Sequence, residues 1–581
     1  MASNLGIDFG STFTMLSSYD DAKDTVTGIQ TERGNVYVPS EACVIGGSLQ
    51  FGSQVQMTMN RQPTIPYFRA FKMLLHEQNV QTLSDHGYSG KYTPKRITSE
   101  FLMKQITVAA RNRNVKQFDH AVICVPEHWT ESYSRNSGRA ILLDICKKMK
   151  NGDVPFLKSI RVVTEPVAAS AYYAHNYYKH HNNTPFEGNI IVIDYGGGTL
   201  DITLTEVTAK PGTKATNAME INALWRTGAG ENHPDRIGDA GLAFMEKVTA
   251  LALESVGLPN TKVDGDFVSV KSDLEAALMN NTDELSNYID AMYGNSLDLM
   301  ADDNGIFATS YGSGNEVPFT YAMLYNTFEK YIKPVLTENL KELKQYLDVR
   351  RLDPLRDMAR IKLAVVGGFG QFPLVQKTVW DFFGYAGNDM DITNGAEGGK
   401  QDAISFGAAL IAGNAVAVKV TSKYSIGLRI TRGGRETYEY AIRCGEPIDD
   451  FNKVHPLGGR WFAIGYDGSS DPKKMPWVFA INKSKTNKKL KSKYKGEFAY
   501  RMTPCEEQCR LLLNMVPKGL YHFGFSMDES EIYTLHIYRN DIETDEPIKP
   551  ALVTQPLGNF NDIFGANVIF DDEDEKHLIF K

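Results

Sequence analysis

The chain has 581 residues, too many for one hydrophobic core, so we expect about two to four folding units. Its composition, 42% hydrophobic and 23% charged residues, is typical of a soluble globular protein, and its net charge of −8 argues against a dedicated nucleic-acid-binding protein. The N-terminus lacks a charged and then apolar leader, and no run approaches about 18 apolar residues, so we expect neither a secretory signal nor a membrane span.

The first predicted element is a hairpin over residues 4–19. A strand ends at Asp8, a turn contains Gly10, Ser11 and Thr12, and a second strand follows from Thr14. Backbone N–H groups and hydroxyls in such a turn suit a phosphate, and the aspartate can organise a metal ion or a water molecule. The pattern therefore predicts a phosphate site.

The same arrangement returns in the middle of the chain. Residues 120–125 predict a buried strand that ends at Pro126, and a helix-like run extends to Lys148. A short strand at 160–164 precedes a helix of small residues that begins at Glu165. Residues 189–206 then repeat the hairpin, with Asp194 before a second glycine turn. This likeness predicts a duplicated α/β fold.

A third glycine turn lies further along the chain. Residues 237–300 have helical spacing, and a long helix is predicted after Pro318. The strand Lys362–Val366 leads into a Gly-Gly turn and a helix from Pro373, and Ala403–Ala412 predicts another close-packing helix. Three such turns in order indicate a clamp around a nucleotide.

Beyond residue 413, short alternating strands replace the helical pattern, which favours a β-sandwich. The final strands, around 568–570 and 578–580, predict a hairpin with an acidic, solvated turn. The predicted strands before them are Tyr424–Ile430, Glu436–Ile442, Trp477–Ile481, Leu511–Val516, Tyr521–Phe525 and Ile532–Tyr538.

For three polar features we favour a structural interpretation over a functional one. The lysines between 483 and 495 suit a solvated loop better than a nucleic-acid or acidic-partner site, and the histidines at 175, 180 and 181 suit a surface loop. Cys505 and Cys509 allow a disulfide or half a metal site, but no second Cys or His pair lies nearby. The other cysteines are isolated, which favours buried thiols and a cytoplasmic protein.

Five motifs in order resemble the Hsp70 family, within the actin-like ATPase superfamily. The likeness covers roughly residues 4–415. The motifs are Gly6-Ile7-Asp8-Phe9-Gly10-Ser11-Thr12, Thr164-Glu165-Pro166-Val167-Ala168-Ala169, Asp194-Tyr195-Gly196-Gly197-Gly198-Thr199-Leu200-Asp201, Val366-Gly367-Gly368-Phe369-Gly370, and Asp402-Ala403-Ile404-Ser405-Phe406-Gly407-Ala408-Ala409.

The resemblance implies an α/β fold with three parts. Residues 1–413 would form a two-lobed actin-like (ribonuclease H-like) ATPase domain, 414–420 a linker, and 421–581 a β-sandwich-like domain that binds a substrate or partner. ATP or ADP with Mg²⁺ would be bound, and a polypeptide client, a dedicated protein partner and a co-chaperone are the implied partners, with no membrane and no nucleic acid.

The resemblance also implies roles for individual residues. Asp8 and Asp194 would hold Mg²⁺ through its water shell, and Lys72, Glu165, Asp194 and Thr199 would act in catalysis. Pro126 matches the family's switch proline. The residues expected around the nucleotide are Gly10, Ser11, Thr12, Phe13, Gly196, Gly197, Gly198, Thr199, Gly238, Gly367, Gly368, Phe369 and Gln371.

The chain also departs from the family pattern on the adenine side and after the ATPase domain. Gln371 stands where the family commonly has an arginine that stacks on adenine, Phe369 replaces a serine, and the helix at 271–277 lacks the basic pattern. The linker has no leucine run, and no amphipathic helical lid follows the β-region.

Two function classes follow. The first is an Hsp70-like ATPase and chaperone of low turnover, whose nucleotide state controls binding by the β-domain. The alternative is a nucleotide-gated scaffold with little turnover and no general chaperone activity. An actin-like filament protein and a sugar kinase are less favoured, because neither needs a β-domain of about 160 residues.

Overall fold

The structure is a computed structural model. It describes residues 3–580 except 33, 63, 131–137, 151–156, 211–217, 231–239, 262–264, 281–304, 312–313, 385–390, 394–399, 420–421, 423, 433–434, 444–445, 447, 449–450, 452, 469–476, 483–515, 528–532, 559–567 and 571–577. The described residues fall into two compact units, one up to Val418 and the other from Lys419 onward. No described helix is long and apolar enough to cross a membrane.

The first unit contains sixteen described strands. They are β1 (Asn4–Phe9), β2 (Phe13–Asp20), β3 (Thr25–Ile29), β4 (Tyr37–Pro39), β5 (Ala42–Ile45), β6 (Ser48–Phe51), β7 (Tyr67–Phe68), β8 (His120–Val125), β9 (Ile160–Thr164), β10 (Gly188–Tyr195), β11 (Leu200–Ala209), β12 (Met219–Ala229), β13 (Gly305–Tyr311), β14 (Asn315–Thr320), β15 (Ile361–Val366) and β16 (Ala417–Val418).

Eleven described α-helices accompany these strands. They are α1 (Ser53–Arg61), α2 (Val80–Asp85), α3 (Pro94–Asn112), α4 (Gly138–Lys150), α5 (Glu165–His180), α6 (Gly241–Ser255), α7 (Gly265–Asn280), α8 (Tyr321–Thr327), α9 (Lys333–Arg350), α10 (Pro373–Phe383) and α11 (Ala403–Ala412). A π-helical turn at Phe328–Ile332 joins α8 to α9, and short 3₁₀ turns follow β8 at Glu127–Thr130 and β15 at Phe369–Gln371.

Two sheets carry the glycine turns, and both predicted hairpins are confirmed. In the first sheet, ordered β3-β2-β1-β8-β9, β1 pairs antiparallel with β2 and parallel with β8, and β4 adds to β2. In the second sheet, ordered β15-β10-β11-β12-β16, β10 pairs antiparallel with β11 and parallel with β15. Each sheet therefore places an aspartate, Asp8 or Asp194, near the end of a strand that leads into a glycine turn.

Helices α5 and α11 pack against each other within one apolar cluster that also includes side chains from both sheets. Small residues make this close approach possible, as predicted. A Cβ atom on Gly407 of α11 would lie 1.7 Å from the carbonyl oxygen of Ala168 in α5, and one on Gly6 of β1 would lie 2.4 Å from the backbone nitrogen of Ala409. The glycines thus determine the spacing between these elements.

The helical expectations are confirmed over the described residues, and one loop expectation needs correction. A helix follows Pro318, starting at Tyr321 directly after β14, and the described part of 237–300 contains α6 and α7. His175 is not in a surface loop: it lies in α5 and is 8% exposed. The α5 helix continues to His180 because no proline or glycine interrupts it.

The second unit is built of strands: β17 (Tyr424–Arg432), β18 (Arg435–Ile442), β19 (His455–Pro456), β20 (Ile464–Tyr466), β21 (Trp477–Asn482), β22 (Gly519–Met527), β23 (Tyr533–Asn540), β24 (Pro547–Gly558), β25 (Val568–Phe570) and β26 (Leu578–Phe580). One sheet has the order β18-β17-β21, and another has β19-β22-β23-β24 with β20 on β22. One apolar core contains side chains from both. The final hairpin, β25 with β26, is confirmed.

Some expectations fall outside the described residues. These are Gly238, the lysine-rich stretch 483–495, the cysteines at 444, 505 and 509, residues 511–515 and the acidic turn 571–575. The three described cysteines, Cys43, Cys124 and Cys146, are free and buried.

Candidate functional site

A cavity of about 250 Å³ in the first unit brings the three glycine turns together. Sixteen of the residues expected at the site line it: Asp8, Gly10, Ser11, Thr12, Phe13, Lys72, Glu165, Asp194, Gly196, Gly197, Gly198, Thr199, Gly367, Gly368, Phe369 and Gln371. They come from both large sheets, from α5 and from the turn after β15. Asp8 and Gln371, which are 363 positions apart, thus meet at one surface.

Three carboxylates crowd the centre of the cavity. Asp8 lies near the end of β1, Asp194 near the end of β10, and Glu165 is the first residue of α5. Burial and the charge of Glu165 raise the pKa of Asp8 to about 7, and burial with the same neighbour raises the pKa of Asp194 well above its usual value. Negative charge on these carboxylates is therefore unfavourable unless a cation compensates it.

Lys72 is the cation that faces these carboxylates. Its amine lies 2.6 Å from Glu165 Oε1, and both side chains are nearly inaccessible to solvent. Burial opposes the charge on Lys72, but Glu165 and Asp8 outweigh it and raise its pKa. The ammonium group therefore stays charged inside the cavity.

The two aspartate-bearing glycine turns approach each other closely. A Cβ atom on Gly197 would lie 2.1 Å from Thr12 Oγ1, and one on Gly198 would lie 2.4 Å from Ser11 Oγ. The backbone N–H groups of Gly241 and Leu242, at the start of α6, donate to the carbonyl oxygens of Gly196 and Gly197. Glycine is needed in the second turn because a side chain would collide with the first.

The third turn forms a less polar end of the cavity. Gly367 has a φ of +81°, and a Cβ there would lie 2.5 Å from Asp194 Oδ1, whereas a Cβ on Gly368 would meet nothing within 4 Å. Phe369 packs its ring against Tyr195 and Phe244, with centroid separations of 5.1 and 5.2 Å. Gly367 is therefore required for the close contact of this turn with Asp194, while Gly368 borders open space.

Gln371 is held by the backbone of its own turn. Its amide nitrogen donates to the carbonyl oxygen of Val365 at 3.2 Å, and Gln376 donates to its side-chain oxygen at 3.4 Å. In α7, Lys271 is 2% exposed and pairs with Glu275 at 3.2 Å, and Glu275 and Leu278 line the cavity. This end therefore combines apolar side chains with one carboxylate.

Sequence reasoning missed several residues that line the cavity. Ile404 belongs to the fifth motif and Glu275 to the helix at 271–277, but neither was expected at the site, and the others reach the cavity from strands, turns and helices whose positions only the fold decides. The missed residues are Met15, Tyr37, Gly241, Leu242, Met245, Glu275, Leu278, Phe372, Pro373, Gln401 and Ile404.

A buried ion pair lies beside the cavity. Arg69 Nη1 lies 2.5 Å from Glu246 Oε1 on α6, and both side chains are only 3% exposed. Glu246 directly follows Met245, which lines the cavity. The pair therefore connects the segment that carries Lys72 to the helix that forms the apolar wall.

The donor set suits a hydrated divalent cation. Asp194 Oδ2 is buried and has no hydrogen-bond partner among the described residues, and the carboxylates around it outnumber the nearby ammonium group. No three His, Cys, Asp or Glu side chains converge closely enough for direct metal ligation in the described part of the chain. These residues fit Mg²⁺ held through its water shell, since Mg²⁺ commonly keeps several waters.

Comparison with known proteins identifies the relationship. The family model named Hsp70 protein matches residues 51–218. The chaperone protein DnaK of Thermoplasma volcanium is 24% identical over 422 residues, a match that covers 71% of this chain and 58% of that protein. The chain resembles Hsp70 proteins. The expected resemblance is thus confirmed.

Two further relatives agree. The DnaK of Mycoplasmoides gallisepticum is 24% identical over 376 residues, covering 64% of this chain and 55% of that protein. The mitochondrial-type heat shock protein 70 of Encephalitozoon hellem is 23% identical over 434 residues, covering 70% and 62%. The chain therefore matches less than two thirds of the length of these Hsp70 relatives.

Proposed function

We propose that the first unit binds ATP with Mg²⁺ and hydrolyses it slowly, as a two-lobed actin-like domain. The observation that supports this most directly is the meeting of the two aspartate-bearing glycine turns, Lys72 and Glu165 in one cavity. Phosphoryl transfer needs charge neutralisation, a positioned water and little covalent chemistry from the protein. The cavity contains groups suited to each of these needs.

Each group in the cavity has a task in this proposal. Asp8 and Asp194 hold the water shell of Mg²⁺, which when bound neutralises phosphate charge. The turns at 10–13 and 196–199 bind the β- and γ-phosphates, and the Thr199 hydroxyl orients the attacking water. Lys72 stabilises negative charge that develops on the transferred phosphoryl group, while Glu165 keeps the ammonium group in place.

The open end of the cavity receives the adenosine. Gly368 leaves space for a flat ring, and Met245, Leu278 and Phe372 form apolar surface around it. Gln371 carries no charge and donates to its own turn, so it does not supply the cationic cover implied by the family pattern. We therefore propose that most of the affinity for ATP comes from the end of the cavity formed by the turns at 10–13 and 196–199.

We propose that the bound nucleotide controls an Hsp70-like chaperone activity of this chain. Residues 1–413 would be the nucleotide-binding domain, 414–420 the linker, and 421–581 a β-sandwich-like domain that binds a polypeptide client or a dedicated partner, with co-chaperone help. The names of the relatives, chaperone and heat shock protein, favour this over the scaffold alternative. Nucleotide state would act by differential affinity for two arrangements of the first unit.

Steady-state phosphate release tests the ATPase. We expect Lys72→Ala and Thr199→Ala to reduce the rate by about 100-fold, the usual effect of removing a group that stabilises developing charge. Lys341→Ala, which changes an exposed lysine on α9, is the matched control and should keep the wild-type rate. Equal rates in the wild type and both site variants would contradict the proposal.

A further inference from the structure

The 3₁₀ turn at Glu127–Thr130, directly after Pro126, carries an aromatic side chain into the interior. Trp129 is fully buried, and its backbone N–H donates to the carbonyl oxygen of Pro126 at 3.2 Å. Gly138, at the start of α4, makes room for the indole, because a Cβ there would lie 2.6 Å from the ring. The indole therefore has a defined place in the packing.

That place is beside the amine of Lys72. The Lys72 Nζ atom lies 5.9 Å from the centre of the Trp129 ring and 5.8 Å from the centre of the Phe9 ring. Glu165 contacts the same amine at 2.6 Å. Two aromatic rings and one carboxylate thus surround the ammonium group, and an aromatic ring attracts a cation at this range.

The turn that carries Trp129 is also connected to the second sheet. Glu127 Oε1 lies 2.9 Å from Arg226 Nη1, and the Glu127 side chain is only 2% exposed. Arg226 lies on β12, opposite Thr203 of β11, the strand that follows the Thr199 turn. The ion pair therefore spans from a turn of the first sheet to a strand of the second.

We propose that Trp129 is a positioning residue that holds the ammonium group of Lys72 in the cavity, and that the Glu127–Arg226 pair keeps the indole in place. The proposal rests on the proposed function for its catalytic consequence. Lysine has a long flexible side chain, so a single contact with Glu165 leaves its amine free to swing about that contact. The rings restrict this motion and exclude water from the amine.

Chemical labelling of the intact, nucleotide-free chain tests the position of Lys72 without using activity. Trace acetylation with acetic anhydride, read by peptide mass spectrometry, should modify Lys72 slowly in the wild type and several-fold faster in Trp129→Leu. Trp129→Phe retains a ring and should restore slow labelling. Phe118→Leu, which truncates an aromatic residue buried just before β8, should label like the wild type.

Single-turnover ATP hydrolysis tests the consequence. Trp129→Leu should be about 10- to 100-fold slower, since small errors in placement cost rates of that order, while the Kd for ADP stays unchanged. Trp129→Phe should recover most of the rate. Glu127→Gln, like Trp129→Leu, should lower the rate of hydrolysis and leave the Kd for ADP unchanged. A general structural defect would instead raise the Kd and lower the Tm in step with the rate.

Two results would overturn the proposal. One is Lys72 labelling in Trp129→Leu at the wild-type rate, and the other is a Phe118→Leu variant that labels as fast as Trp129→Leu. If the wild-type chain hydrolyses no ATP, the proposed function fails, but the labelling comparison still decides whether Trp129 positions Lys72.

Discussion

The charges at the centre of the cavity are balanced against one another rather than by water. Asp8, Asp194 and Glu165 share a confined space with Lys72, and burial makes each separate negative charge unfavourable. Burial and then the charge of Glu165 raise the pKa of Asp8 to about 7. Such an arrangement favours a ligand that brings positive charge, which is the physical basis for the proposal of Mg²⁺ at this position.

His175 allows a test of pH dependence at the scale of one residue. Burial lowers its pKa below 6.5, although Asp24, at 2.8 Å from Nε2, acts in the opposite direction and Lys179 adds to the lowering. Below pH 6.5 the unfolded chain binds a proton that the folded chain does not, so stability should fall as the pH falls from 6.5.

We expect His175→Gln to lose less stability than the wild type between pH 6.5 and pH 5. Urea unfolding followed by circular dichroism at several pH values measures this difference. His181→Gln, which changes an exposed histidine just after α5, is the control and should follow the wild type. A steeper acid-side loss in His175→Gln than in the wild type would contradict the assigned direction.

At the scale of elements, the contact between α5 and α11 depends on the absence of side-chain atoms. Gly407 brings the backbones of the two helices together, and the same helices share an apolar cluster with both sheets. Because Glu165 opens α5, any displacement of that helix also displaces a carboxylate of the cavity. Packing between helices and chemistry in the cavity are therefore linked.

The same chemical change at two glycines should have opposite consequences. Gly407→Ala places a methyl group against the Ala168 carbonyl and should destabilise the fold by about 1–3 kcal/mol. Gly368→Ala adds a methyl group to open space at a right-handed helical φ/ψ, so stability should change by less than about 1 kcal/mol, while nucleotide binding weakens. Urea denaturation and ADP titration separate the two effects. Equal loss of stability in both variants would contradict this account.

At the scale of the whole molecule, the two units have separate cores. The first unit contains the cavity and both large sheets, and the second has its own apolar cluster of strand residues. The last strand of the first unit, β16, pairs with β12 at only two positions, Glu220 with Ala417 and Ile221 with Val418. Arg161 donates to the carbonyl oxygen of Val418 at 3.4 Å, which adds one further contact.

Limited proteolysis of the intact chain should therefore cut first next to Val418, ahead of Ser422, which is 1% exposed and donates its backbone N–H to Glu446. A strand that pairs at two positions opens easily, and cleavage follows local opening. If ATP changes the arrangement of the first unit as proposed, it should alter the cleavage rate at this place relative to ADP. Electrophoresis with mass spectrometry identifies the fragments. Identical cleavage rates with ATP, with ADP and without nucleotide would argue against nucleotide control at β16.

Much of the fold and of the candidate site was predictable from the sequence because it depends on local pattern. The strands around Asp8 and Asp194, the helix that begins at Glu165 and the close-packing helix Ala403–Ala412 follow from apolar periodicity, glycine turns and small residues. These signals lie within a few residues of one another. The short strands β5, β6 and β7, and the longer β12 and β24, were missed because the sequence alone did not reveal their partners.

The sequence by itself therefore determined that two aspartate-bearing turns exist, that they suit phosphate, and that they resemble Hsp70 motifs. Only the tertiary structure decided that Gln371 turns back onto its own backbone, that His175 is buried, and that Trp129 lies beside Lys72. The physical reason is that side-chain direction and burial depend on contacts between residues far apart in the chain. Local spacing carries no information about which distant residue will fill the adjacent space.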